Sequence, residues 1–63
     1  MRLTEFWERM DAQFGTAYSR SVAADFRLPT LGATVLEAME NGVETKQIWR
    51  AVCDAFELPD TIR

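Results

Sequence analysis

Two stretches of the chain place apolar residues at the spacing of an amphipathic helix. The first stripe comprises Leu3, Phe6, Trp7, Met10 and Phe14, and the second comprises Ile48, Trp49, Val52, Cys53 and Phe56. Residues that recur three and four positions apart lie on one face of a helix, so these stripes predict helices over 5–14 and 45–57. Each stripe carries a tryptophan, and we expect the two helices to form the central packing pair.

Polar residues and a glycine indicate the ends of the first helix. Thr4 is a good N-cap, and Glu5 and Glu8 would place negative charge in the first turn, where the helix dipole favours it. Gly15 suits the left-handed position that follows a helix C-terminus. We therefore expect this helix to end at Phe14.

A second helix is predicted over 16–26. Tyr18, Val22 and Phe26 fall four residues apart, and this spacing predicts one buried face. Thr16 is the candidate N-cap. The helix should stop near residue 26 because a proline three positions further on disfavours helical geometry at the residue before it.

Residues 28–33 are interpreted as a connector, with Leu28 and Leu31 turned inward. A third helix over 35–41 follows, because Thr34 and Glu37 have the spacing of a capping box. In that arrangement each of the two side chains accepts a hydrogen bond from the backbone amide of the other residue.

Together these segments predict an all-α fold, a single domain built as a bundle of three to four short helices with a tail over 58–63. The third helix should end sharply at Asn41 and Gly42, because this dipeptide marks turns. A helix this short depends on tertiary packing.

The composition restricts the chemistry that such a domain can perform. The chain has 63 residues, no histidine and one cysteine, so it has neither an internal disulfide nor the ligands of a conventional zinc site. We expect no metal and no cofactor. Seven basic and ten acidic residues give a net charge of −3, which opposes non-specific binding to DNA.

Acidic residues interrupt the apolar residues near the N-terminus, so no signal peptide is expected. No stretch approaches the roughly 20 apolar residues that span a membrane. Together with the single cysteine, these features predict a cytoplasmic protein without membrane contact.

Catalysis has few candidate residues. Cys53 is the only nucleophile of high intrinsic reactivity, and no histidine is present to activate it. Because it shares a stripe with Trp49, we interpret it as a buried structural thiol. Acidic pairs such as Glu37 and Glu40 have the spacing of a solvated helix surface. We therefore expect no enzymatic activity and assign no catalytic residue.

Residues 34–57 resemble a DNA-binding helix-turn-helix unit. Ala38, Gly42 and Ile48 have the spacing of its small residue, turn glycine and buried aliphatic residue. The candidate nucleic-acid contacts are Lys46, Gln47 and Arg50. Acidic neighbours such as Glu44 oppose DNA contact, and an antiparallel helix pair produces much of the same pattern, so we favour packing as the explanation.

The aromatic content suggests a protein-binding surface. Two tryptophans and four phenylalanines are a heavy load for a small core, and an exposed ring beside an arginine would resemble the anchors that dominate protein interfaces. The alternative is that both tryptophans belong to the core. The candidate protein contacts are Arg2, Trp7, Arg9, Trp49 and Arg50.

Several segments of the chain are found together in a known family. They are 1–7, Phe14-Gly15 with Tyr18 and Arg20, Leu31-Gly32 leading to Thr34, Glu37 and Ala38, and 49–53. With this combination the chain resembles, from its first residue to Pro59, an uncharacterised actinobacterial family called domain of unknown function 3046. The resemblance implies a free-standing helical protein, often encoded near a recombinase and its regulator, and it implies no activity or catalytic residue.

The leading hypothesis is a non-enzymatic cytoplasmic module for protein interaction or regulation, whose partner is another protein. The alternative is a nucleic-acid-binding protein that uses the helix-turn-helix-like pair and is linked to DNA repair or recombination. A third possibility is a small subunit that completes a larger assembly. The oligomeric state stays open.

Overall fold

Four helices and a short β-hairpin make up the fold of the computed structural model, which describes residues 1–62. The helices are α1 (Leu3–Phe14), α2 (Thr16–Asp25), α3 (Val35–Glu40) and α4 (Thr45–Ala55). Between α2 and α3 lie the strands β1 (Arg27–Leu28) and β2 (Ala33–Thr34). The four predicted helices are confirmed, but the fold is mostly helical with a small sheet rather than all-α.

The hairpin occupies the segment that was predicted to be a connector. Its strands are antiparallel, with Leu28 opposite Ala33. The Leu28 carbonyl accepts hydrogen bonds from the amides of Leu31 and Gly32, at 3.2 and 2.8 Å, and these bonds close the turn. Strands of two residues are too short to produce an alternating apolar pattern, so no periodic signal predicts them. The expected burial of Leu28 is confirmed, at 0% exposure.

The first helix begins two residues earlier than predicted. Arg2 is its N-cap, with an extended backbone and no capping side chain, and Thr4 lies inside the first turn. The Arg2 carbonyl accepts a hydrogen bond from the Phe6 amide at 3.0 Å. Because this backbone bond already forms the first turn, the prediction of Thr4 as N-cap is wrong. Glu5 lies in the first turn as predicted.

A different face of α2 is buried from the one that was predicted. Its buried residues are Ser19, Val22 and Ala23. Tyr18 is 60% exposed and Phe26 is 38% exposed, so two of the three residues of the predicted buried face lie at the surface. Small side chains on the inner face allow α2 to approach α1 closely, and Ser19 Oγ donates a hydrogen bond to Asp11 Oδ1 at 2.5 Å.

The joint between α1 and α2 is a single residue. Gly15, at φ 84°, follows the last residue of α1 and precedes the first residue of α2. Its carbonyl accepts a hydrogen bond from the Ser19 amide at 2.8 Å. Thr16 is already helical and provides no cap, so its predicted capping role is wrong.

The capping box at the start of α3 is confirmed. Thr34 Oγ1 accepts a hydrogen bond from the Glu37 amide at 3.2 Å, and Glu37 Oε1 accepts one from the Thr34 amide at 3.0 Å. Both α3 and α4 end in a left-handed residue, which is Gly42 in one case and Glu57 in the other. The closing bonds run from the Val43 amide to the Ala38 carbonyl, at 3.0 Å, and from the Leu58 amide to the Cys53 carbonyl, at 2.9 Å.

The core contains the inner faces of α1 and α4. Its largest fully buried side chains are Trp49, Phe6, Met10, Leu28, Ile48, Val35 and Val52. The ring of Phe6 meets that of Trp49 edge to face, with centroids 6.1 Å apart. α1 nevertheless contacts α2 more extensively than α4, because large rings separate α1 from α4 whereas α2 presents small residues. The expectation that α1 and α4 form the central pair is therefore too simple.

Both ends of the described chain lie against α4. Thr45 Oγ1 donates a hydrogen bond to the Met1 carbonyl at 2.6 Å, and Trp49 Nε1 donates one to the Ile62 carbonyl at 3.4 Å. Within the predicted tail, Leu58 is buried and residue 63 lies outside the described residues. In the described part of the chain, every helix is too short or too polar to cross a bilayer.

Candidate functional site

The two tryptophans that sequence reasoning could not assign lie in different environments. Trp49 is 1% exposed and belongs to the core. Trp7 is partly buried, and the guanidinium carbon of Arg20 lies 3.9 Å from the centroid of its ring. This cation–π contact covers one face of the indole with a side chain of the same protein. Neither tryptophan is therefore an uncovered anchor.

Three of the basic candidates line one groove between α1 and α4, which we call the α1–α4 groove. Its lining residues are Met1, Glu5, Arg9, Lys46, Trp49, Arg50 and Asp54. Arg9 Nη2 lies 3.3 Å from Glu5 Oε2, so the charge of Arg9 is partly neutralised. Arg2, Trp7 and Gln47 lie outside this lining. The groove therefore presents mixed charge rather than a continuous basic surface.

The residues that carry the helix-turn-helix spacing pack in the core or form the turn. Ala38 and Ile48 are buried at 1% and 0% exposure, and Gly42 forms the turn with φ 81°. The exposed residues on the early part of α4 include Lys46, Gln47 and Arg50. The small residue and the aliphatic residue of the predicted unit are therefore buried, and its three candidate contacts are exposed.

A row of four aromatic rings, here called the aromatic face, lies outside the lining of the α1–α4 groove. It consists of Phe14, Tyr18, Phe26 and Phe56. The ring centroids are 6.1 Å apart from Tyr18 to Phe14, 5.0 Å from Phe14 to Phe56, and 4.7 Å from Phe56 to Phe26. The outer two rings, Tyr18 and Phe26, are the ones exposed at 60% and 38%.

Sequence reasoning missed this surface because it assigned Tyr18 and Phe26 to the core. The periodicity of α2 contained a usable signal: Ser19, Val22 and Ala23 also share a face, and all three are small or medium in size. A one-residue joint keeps α2 beside α1, and small side chains at the contact allow packed helices to come closer together. The size of the side chains, rather than their hydrophobicity alone, would have identified the inner face.

Beside the aromatic face lies a cleft of ≈ 360 Å³, here called the aromatic cleft. Its lining residues are Tyr18, Ser21, Val22, Asp25, Phe26 and Phe56. Asp25 is the one charged residue in this lining, as far as residues 1–62 are concerned. The cleft is therefore apolar on its walls and acidic on one side.

The polar groups with potential reactivity are enclosed. Cys53 is 0% exposed, as expected for a structural thiol. Ser19 and Asp11 form the one serine–carboxylate hydrogen bond found within residues 1–62, but Ser19 is 0% exposed and connects α1 to α2. Among the same residues, no three histidine, cysteine, aspartate or glutamate side chains lie close enough to hold a metal ion.

Comparison with known proteins gives the family of the chain. A family model described as a protein of unknown function (DUF3046) matches residues 1–61. The chain belongs to this family, as the resemblance in its sequence indicated. Neither a curated protein nor a solved structure matches the chain.

Proposed function

We propose that this member of the family is a non-enzymatic interaction module that binds another protein through its aromatic face. The supporting observation is the exposure of Tyr18 and Phe26 at the two ends of a continuous row of rings. Contiguous exposed apolar patches on small proteins commonly mark interaction sites, and large aromatic residues carry much of the energy at such interfaces.

The position of the rings also supports a binding role. Phe14 and Phe56 are partly buried and pack on the core, so they hold the more exposed Tyr18 and Phe26 in fixed places. Anchors that are already ordered lose little conformational entropy when a partner binds. We propose that the module acts in the cytoplasm, since its single cysteine needs no oxidising compartment.

Affinity capture with matched variants tests this proposal. The purified protein and a Tyr18→Gln/Phe26→Ser double variant are immobilised in parallel and exposed to a lysate of the native cells. A Leu36→Ser variant serves as control, because Leu36 is 44% exposed but lies outside the aromatic face. Circular dichroism verifies that all the variants remain folded.

We expect a protein that is retained by the native chain and the Leu36 variant and lost with the double variant. Truncation of interface anchors commonly costs 2 kcal/mol or more, which is about a 30-fold loss of affinity. Equal retention by all three forms would exclude the aromatic face as the binding surface.

A nucleic-acid-binding role is the second candidate, and the exposed Lys46, Gln47 and Arg50 on the second helix of a helix-turn-helix-like pair favour it. The net charge of −3 and the acidic residues of the α1–α4 groove oppose it. The role predicts duplex binding that falls steeply with salt and weakens in a Lys46→Ala/Arg50→Ala variant. Absence of a mobility shift at low salt would exclude it.

A further inference from the structure

The aromatic cleft lies where the C-terminal ends of two helices meet. Phe26 is the C-cap of α2 and Phe56 is the C-cap of α4, and their ring centroids are 4.7 Å apart. The C-terminal end of a helix carries a partial negative charge, equivalent to roughly half an elementary charge, from its unsatisfied carbonyl groups. Two such ends are therefore brought to one place on the surface.

Neither end is neutralised by its own sequence. The last turns of α2 and α4 contain no basic residue. Asp25, the final residue of α2, instead adds a full negative charge at the end of the helix where the dipole disfavours it. Within residues 1–62, Asp25 makes no ion pair and no side-chain hydrogen bond. A cation placed here would therefore be attracted both by this carboxylate and by the helix ends.

The nearest arginines in the sequence have partners elsewhere. Arg20 stacks on Trp7 at 3.9 Å. Arg27 Nη1 donates a hydrogen bond to the Gly32 carbonyl at 2.8 Å and lies 3.9 Å from Glu37 Oε1. Both guanidinium groups are therefore engaged outside the lining of the cleft, and neither neutralises Asp25. The negative charge at the cleft is available to a cation from another molecule.

We infer that the aromatic cleft binds a lysine or arginine side chain presented by a basic, amphipathic segment of the partner protein. The cation would lie against the rings of Phe26 and Phe56 and near the carboxylate of Asp25. Cations are attracted to the faces of aromatic rings, and they are also attracted to helix C-termini. Apolar residues of the same segment would cover Tyr18. This inference rests on the proposed function and specifies the chemistry of the partner.

Two model peptides of opposite charge test the inference. The probe is an acetylated and amidated amphipathic peptide made only of leucine and lysine, and its counterpart has glutamate in place of lysine. Each is titrated into the isotope-labelled protein, and backbone amide shifts are followed by NMR. We expect the lysine peptide to shift the amides of Asp25, Phe26 and Phe56, and the glutamate peptide to bind more weakly.

Matched variants separate this site from general attraction to an acidic protein. Asp25→Asn and Glu8→Gln each remove one exposed carboxylate, and Glu8 lies outside the lining of the cleft. We expect Asp25→Asn to weaken binding of the lysine peptide about two- to fivefold, as for a partly exposed ion pair or cation–π contact, and Glu8→Gln to change it less.

The inference would be overturned by no binding of the lysine peptide, by shifts confined to the α1–α4 groove, or by equal effects of Asp25→Asn and Glu8→Gln. Equal binding of both peptides at the aromatic face would also overturn it. In that case the proposed function survives, because the surface would still bind apolar segments. Failure of the proposed function itself is recognised separately, by equal capture of native proteins on the Tyr18→Gln/Phe26→Ser variant.

Discussion

Glu57 has a backbone conformation that residues other than glycine rarely adopt, with φ 53°. It occupies the same position after α4 that Gly42 occupies after α3. The left-handed conformation costs a residue with a Cβ atom roughly 1–2 kcal/mol, and glycine avoids this cost. The two helix ends therefore share one hydrogen-bonded geometry, and the second maintains it under strain.

Replacing Glu57 by glycine is expected to stabilise the protein by about 0.5–1 kcal/mol, because the relief of strain exceeds the extra entropy of glycine in the unfolded chain. The free energy of unfolding in urea measures this change. The reciprocal variant Gly42→Ala should lose about 1 kcal/mol of unfolding free energy. The loss comes from the left-handed backbone alone, since a Cβ atom placed there meets nothing within 4 Å. A loss of stability in Glu57→Gly would contradict this account.

At the scale of elements, α3 is the shortest helix in the described chain and the least able to form on its own. It has six residues, and isolated helices of that length do not persist in water. The Thr34–Glu37 capping box fixes its start, and the Gly42 turn fixes its end. The orientation of α4, which follows the turn, depends on both.

The Thr34→Ala variant should therefore lose about 1 kcal/mol of unfolding free energy, the typical cost of removing a capping side chain. Amide hydrogen exchange should accelerate in α3 more than in α1. Thr30→Ala is the matched control, because Thr30 is exposed in the hairpin turn. Its unfolding free energy should stay within about 0.5 kcal/mol of that of the native chain. Equal losses in the two variants would show that the capping box contributes nothing.

Prediction from sequence succeeded for the elements whose signals are local. The stripes of α1 and α4 predicted the buried Phe6 and Val52, and the Thr34–Glu37 spacing predicted the start of α3. Prediction failed where the structure of a segment depends on its contacts with other elements of the fold. The face that α2 buries is decided by its close approach to α1, and the two-residue strands form through pairing that leaves no periodic pattern.

The candidate site was predictable only in part, for the same reason. The exposure of Lys46 and Arg50 agrees with their polar positions on α4. The aromatic cleft joins residues from α2 with Phe56, which lies 30 positions beyond Phe26 in the sequence. Their contact is produced by tertiary packing, so no local pattern contains it.

At the scale of the whole molecule, stability depends on very few side chains. A domain of this length is expected to have an unfolding free energy of roughly 3–9 kcal/mol. Phe6 is 0% exposed and packs edge to face on both Trp7 and Trp49. Removal of such a ring costs about 3–5 kcal/mol, a large fraction of the total.

The Phe6→Ala variant should accordingly be largely unfolded, or it should lose at least half of its free energy of unfolding, as measured by urea titration with circular dichroism. Leu3→Ala is the control on the same helix, because Leu3 is 51% exposed, and it should change the unfolding free energy by about 0.5 kcal/mol or less. A Phe6→Ala protein with nearly native stability would contradict the assignment of this ring to the centre of the core.

The attachment of residues 1 and 62 to α4 has a consequence for chain topology. Their carbonyl groups accept hydrogen bonds from positions 45 and 49, which are separated by about 6 Å along the helix axis. In a shortened chain of residues 1–62, a flexible linker from residue 62 to residue 1 is therefore expected to leave both hydrogen bonds to α4 in place. Circularisation restricts the unfolded chain more than the folded one, so calorimetry of the ring should give a higher melting temperature than the linear protein. The same ring, reopened at residues 29–31 of the hairpin turn, should yield a permuted chain with the same fold.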